Sequence, residues 1–92
     1  MSHIDVTRAH DLGLDGARQT AEEVVHELSE RLSLRAHWEG DTLVARGKGF
    51  DGRFHAEPEQ VRVTVDLSFV LRPLRRSIRS EIDEYLDRYT AG

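Results

Sequence analysis

The chain contains no cysteine among its 92 residues. Disulfide staples, thiolate catalysis and cysteine-ligated zinc are thereby excluded, and the composition fits a cytosolic setting. Long apolar runs are also missing. Nothing approaches the ~18 residues of a membrane span, and the opening MSHIDVTRAH is alternating and polar, without the apolar centre of a signal peptide. A soluble, bacterial-type cytoplasmic protein is expected. There is no excess of positive charge either: 13 Lys+Arg against 17 Asp+Glu give a net charge of -4. That balance argues against whole-protein attraction to nucleic acid or to an anionic membrane, but leaves room for a local basic patch. The length predicts a single domain, 1–92, with one modest core and no deep cofactor cleft.

What is present is periodic. Ile4 and Val6 alternate with polar neighbours, predicting a strand over 3–9. After Gly13, the residues Leu14, Ala17, Ala21, Val24, Val25, Leu28 and Leu32 recur three and four apart, predicting an amphipathic helix over 15–32 with Asp15 as N-cap or first-turn acid. Alternation returns over 34–38. A tight turn at Glu39-Gly40-Asp41 leads into a strand over 42–48. Glycines 47, 49 and 52 surround a second turn, Phe54 and Ala56 mark a short strand, and Pro58 ends it. The odd residues from Val61 to Leu71 alternate with polar ones, predicting one strand more than ~30 Å long. Pro73 then takes a favoured first helical position. The stripe Leu74, Ile78, Ile82, Tyr85, Leu86, Tyr89 carries a C-terminal helix to about Thr90.

The order is β-α-β-β-β-β-α, which predicts an α+β fold: an antiparallel sheet of about five strands with two helices on one face. Ile4, Val6, Leu34, Ala36, Trp38, Leu43, Ala45, Phe54, Ala56 and the odd residues 61–71 share the covered face. Arg35, His37, Arg46, Arg53, His55, Arg62 and Asp66 share the other. The last four strands form a meander, and the first strand is expected beside the fifth.

Candidate chemistry is sparse. GKGFDG (47–52) matches G-x-G-x-x-G, but a dinucleotide loop needs a strand before it and a helix after it. Strands flank it here, so the glycines are assigned to chain reversal. Five histidines show neither H-x-x-x-H nor H-E-x-x-H spacing, and no metal site is expected. His10 is assigned to holding a backbone group at the strand-to-helix corner. Ser68, Ser77 and Ser80 lack a nucleophile-elbow context. No catalytic, cofactor-binding or metal-binding residue is proposed, and the protein is expected not to be an enzyme.

One feature stands apart. FVLRPLRRSIRSEI (69–82) places Arg72, Arg75, Arg76 and Arg79 at the start of a helix, where the macrodipole already supplies positive charge. The ordinary reading is a solvated face whose arginine stems cover apolar surface. The functional reading is an anion- or partner-binding surface, since guanidinium forks suit carboxylates and phosphates. Tyr85 and Tyr89 on the same helix would add amphipathic contacts.

Several of these motifs together resemble the polyhydroxyalkanoic acid system proteins, the polyhydroxyalkanoate granule-region family. They are H-x-L-G (His10, Leu12, Gly13), W-x-G-D (Trp38, Gly40, Asp41), G-x-x-G (Gly49, Gly52), V-x-V-x-L (Val63, Val65, Leu67), L-R-P-L (Leu71 to Leu74) and I-x-x-x-I (Ile78, Ile82). The arginine-rich start of the last helix departs from the family pattern. The resemblance implies association with polyhydroxyalkanoate storage in bacteria and implies no catalytic residue. The expected function is a small non-enzymatic accessory protein, cytoplasmic or granule-associated, that binds a granule surface or a granule protein through Arg72, Arg75, Arg76, Arg79, Tyr85 and Tyr89. The alternative is a carrier of a small hydrophobic, hydroxyacyl-type ligand held between the sheet and the C-terminal helix, by architectural analogy with helix-grip binders. An edge strand or the C-terminal helix offers a surface for homodimerisation.

Overall fold

A computed structural model describes residues 2–90. Five strands, β1 (Ser2–Ala9), β2 (Arg35–Glu39), β3 (Thr42–Gly47), β4 (Phe50–Ala56) and β5 (Gln60–Leu67), form one antiparallel sheet in the order β1-β5-β4-β3-β2. Helix α1 (Gly13–Ser29) follows β1; a 3₁₀ turn (Arg72–Leu74) and helix α2 (Arg75–Thr90) follow β5. The α+β order and the placement of β1 beside β5 match the sequence-based expectation.

Alternation drives the core. Ile4, Val6, Leu43, Ala45, Phe50, Phe54, Ala56 and the odd residues Val61 to Leu67 are buried on one face. Ala17, Ala21, Val24, Val25 and Leu28 of α1, with Ile78, Ile82 and Leu86 of α2, cover them. The two helices run antiparallel. Arg88 Nη1 donates to Glu27 at 3.0 Å, Arg31 pairs with Glu81, and the Thr20 hydroxyl donates to the Tyr89 carbonyl at 3.4 Å. On its other flank α2 is tied to β1, where Arg8 pairs with Asp83 at 3.0 Å and with Asp87.

The turns follow from glycine. Gly40 takes φ +61 at the first loop position of the β2–β3 hairpin, the geometry of a type II′ turn. Gly49 takes φ +79 in the two-residue β3–β4 loop, a conformation that costs glycine little. GKGFDG is thus a β-hairpin.

Three expectations need correction, and one burial falls outside them. The fifth strand ends at Leu67, not Leu71. Leu67 pairs with Ser2 on one side and Phe50 on the other, and both neighbours run out there. Without a ladder partner the alternation of Phe69 and Leu71 cannot express itself as strand. Ala36 is exposed rather than core: α1 reaches β2 at Trp38, through Arg18 and Glu22, but leaves Ala36 uncovered at the sheet edge. Val44 is 1% exposed although its alternation directs it to the polar face. It lies between His37 and Arg53 in register, beside an Arg46–Asp51–Arg53 ion-pair cluster whose aliphatic stems can cover it. Finally, α1 ends at Ser29, and residues 30–32 wind down in a tight last turn in which the Leu32 amide still reaches the Leu28 carbonyl at 2.9 Å.

Candidate functional site

The β5–α2 corner is built by hydrogen bonds, not by loose chain. The Ser68 amide donates to the Gly49 carbonyl at 3.0 Å, closing the end of the β4–β5 ladder. The Ser68 carbonyl then accepts from Leu71 at 3.0 Å and Arg72 at 3.1 Å, and Leu74 donates to Leu71 at 2.9 Å. Leu71 turns inward against the core. A Cβ at Gly49 would sit 2.8 Å from Ser68 Oγ and 3.2 Å from Leu71 Cγ, so the corner packs directly on glycine.

This turn pushes Phe69 and Val70 outward. Phe69 is 78% exposed, Val70 52% and Leu74 43%. Isolated exposed apolar residues are ordinary, but Phe69 and Val70 adjoin on a fixed turn, an arrangement of the kind that marks a contact surface, whereas Leu74 lines the hollow between the helices with Leu28 and Leu32. Burying what Phe69 and Val70 expose against an apolar surface is worth roughly 3 kcal/mol.

The arginines divide around this patch. Arg75 is engaged by the fold: its Nε and Nη2 donate to the His3 carbonyl at 3.2 and 3.0 Å. Arg79 Nε lies 3.9 Å from Asp83, its i+4 neighbour. Arg72 and Arg76 are exposed, and among the described residues neither forms an ion pair or a side-chain hydrogen bond. The first turn of α2 holds no acid to offset them. At about 0.3–1 kcal/mol per misplaced cation, their position is a cost that folding alone does not explain.

Tyr85 and Tyr89 lie elsewhere. Both are partly buried against the core on the α1 side of the helix. The Tyr85 hydroxyl donates to Glu81 at 3.2 Å, and burial together with the Glu81 carboxylate pushes its pKa above the ordinary phenol value. Tyr89 lines an open groove of about 520 Å³ with Leu12, Gly16 and Gln19. Arg75 reaches His3 of β1 and Arg79 nears Asp83, which Arg8 of β1 also holds, so these arginines lie toward β1, whereas the tyrosines face α1. The six residues singled out in the sequence do not form one surface. Phe69 and Leu74 were missed because alternation assigned the first inward and helical spacing the second; Val70, an even position of the same pattern, carried no signal.

His10 does hold a corner. It is 9% exposed, accepts from the Leu12 amide through Nδ1 at 3.0 Å, and its Nε2 meets the Glu57 carbonyl at 3.1 Å. Among the described residues no group of three or more His, Asp or Glu side chains could hold a metal ion. Among them, too, no helix is long and apolar enough to cross a membrane.

A family model described as "Putative polyhydroxyalkanoic acid system protein" matches residues 4–89. A solved structure, the crystal structure of TTHA0849 from Thermus thermophilus, aligns at 12% identity over 98% of this chain and 97% of that one, with a TM-score of 0.49. No curated protein matches the chain.

Proposed function

The chain belongs to the polyhydroxyalkanoic acid system family, and on that footing we propose that it is a non-enzymatic accessory protein that docks on the storage granule through the β5–α2 corner. Phe69 and Val70 enter the apolar polyester surface. Arg72 and Arg76 meet carboxylates of polymer chain ends or of the granule coat. The observation that carries the reading is the coincidence of two outward apolar side chains, Phe69 and Val70, with two arginines lacking partners among the described residues.

The carrier reading has less support. Ile78, Ile82 and Leu86 beneath α2 are at most 3% exposed. The hollow between the helices at Leu28, Leu32 and Ile78 is about 20 Å³, close to the space of one water.

Co-sedimentation with protein-stripped polyhydroxyalkanoate granules tests the proposal, with an inert particle of similar hydrophobicity as control. The wild type pellets selectively with granules. A Phe69→Ser/Val70→Ser variant stays in the supernatant, while Arg72→Ala/Arg76→Ala binds more weakly and loses the salt sensitivity of the wild type. Equal pelleting of all three proteins contradicts the proposal.

A further inference from the structure

The two edges of the sheet differ. In antiparallel pairs, backbone groups point alternately toward one neighbour and the other. The Asp41 carbonyl accepts from the Ala56 amide at 2.8 Å, so β3 bonds to β4 through its odd residues and to β2 through Thr42, Val44 and Arg46. Their partners in β2 are Glu39, His37 and Arg35. The amides and carbonyls of Ala36 and Trp38 therefore face outward. No hydrogen bond among the described residues engages them. At the opposite edge, His3 is outward by the same logic, and Arg75 caps its carbonyl. One edge is guarded by α2; the other is left open.

The open edge has a sequence that complements itself. In Arg-Ala-His-Trp-Glu (35–39), an antiparallel pairing centred on His37 sets Arg35 against Glu39 of a second copy, twice, and Ala36 against Trp38, twice. The same register makes Ala36 and Trp38 the hydrogen-bonded pairs, as their outward groups require, and leaves His37 in a non-bonded pair, as its inward groups require. Backbone geometry and charge thus select one register. A slip of two residues sets Arg35 against His37 in one direction and His37 against Glu39 in the other, and either slip removes both Arg–Glu pairs. The side chains stand ready on each face. Trp38 is held by its Nε1–H donating to Glu22 at 2.9 Å and by the Arg18 guanidinium 4.0 Å from the ring centroid. Glu39 and His37 lie on the solvent face at 2.7 Å from each other.

We propose that β2 pairs with β2 of a second copy of this chain, joining two five-stranded sheets into one of ten. The junction is small, with four backbone hydrogen bonds implied by the register. It predicts a weak, concentration-dependent dimer, below the size of permanent interfaces.

Sedimentation velocity of the whole chain, from about 10 µM to about 1 mM, tests this. The wild type shifts from monomer to dimer across that range. Glu39→Arg and Arg35→Glu each weaken self-association about tenfold, because like charges then face each other twice. An equimolar mixture of the two variants recovers the dimer, since each supplies the charge the other lacks. Ala36→Pro removes one outward N–H without touching the β3 ladder. It stays monomeric with an unchanged circular dichroism spectrum. A wild type that remains monomeric throughout overturns the proposal. So does a dimer that survives Ala36→Pro, or a mixture that fails to reassociate.

Discussion

Arg75 joins the start of α2 to the start of β1 by two hydrogen bonds from its guanidinium to the His3 carbonyl, at 3.2 and 3.0 Å. A charge-assisted fork on an otherwise open strand edge fastens α2 to the sheet and blocks that edge against further pairing. Arg75→Ala is therefore expected to destabilise the fold by about 1–2 kcal/mol, whereas Arg72→Ala and Arg76→Ala stay within about 0.5 kcal/mol of wild type. Urea denaturation of the three variants checks this. Equal effects at all three positions would show that Arg75 is only another solvated arginine.

His10 must be the Nε2–H tautomer. Its Nδ1 accepts from the Leu12 amide, so the proton is on the nitrogen that meets the Glu57 carbonyl. Long-range ¹H–¹⁵N spectra should display that tautomer. Replacing His10 with Ala removes the partner of the Leu12 amide and of the Glu57 carbonyl, both part-buried, and should cost about 1 kcal/mol. The opposite tautomer contradicts the assignment.

Gly52 is required by its neighbours along the strand. A Cβ there would lie 2.7 Å from the Phe50 ring and 3.3 Å from the Phe54 ring. Gly52→Ala forces both rings from their positions, at about 1–3 kcal/mol. A variant with unchanged melting temperature would mean that the rings do not close over the glycine.

Acid sensitivity should trace in part to Asp5. Its hydrogen bond from Arg62 holds the carboxyl below the ordinary aspartate value. In the window around and below pH ~4 the unfolded chain then binds more protons at this site than the folded one, so this stabilisation is present above the window and lost as pH falls through it. Asp5→Asn should flatten the acid limb of the stability–pH curve without altering its neutral region greatly. Curves that stay parallel from about pH 3 to about pH 7 would exclude the contribution.

Much of the fold was legible because each signal rested on local physics. Alternation gave the covered face, helical spacing gave α1 and α2, and the motif residues His10, Gly40 and Gly49 fell at chain reversals where a donor pair or positive φ is needed. The end of β5 was not legible, because the sequence alternates through Leu71 and only the neighbouring strands determine where pairing stops. The exposure of Ala36 and the burial of Val44 escaped for the complementary reason. Coverage of a face depends on how far helices reach and on long side chains crossing the register, and neither leaves a mark in the pattern of the strand itself. The candidate site was half visible. The arginines stood out by their charge, but Phe69 was indistinguishable from a core residue until the turn at Ser68 directed it outward.

The most direct test of granule docking is the environment of residue 69 itself. A chain carrying Phe69→Trp in a Trp38→Phe background has one tryptophan, at the apex of the corner. On adding protein-stripped polyhydroxyalkanoate granules, its emission should move to the blue and become shielded from iodide, in proportion to the fraction that sediments. A chain that sediments with granules while the emission stays unshifted and fully quenchable would contradict the account, because the protein would then be docked through some other surface.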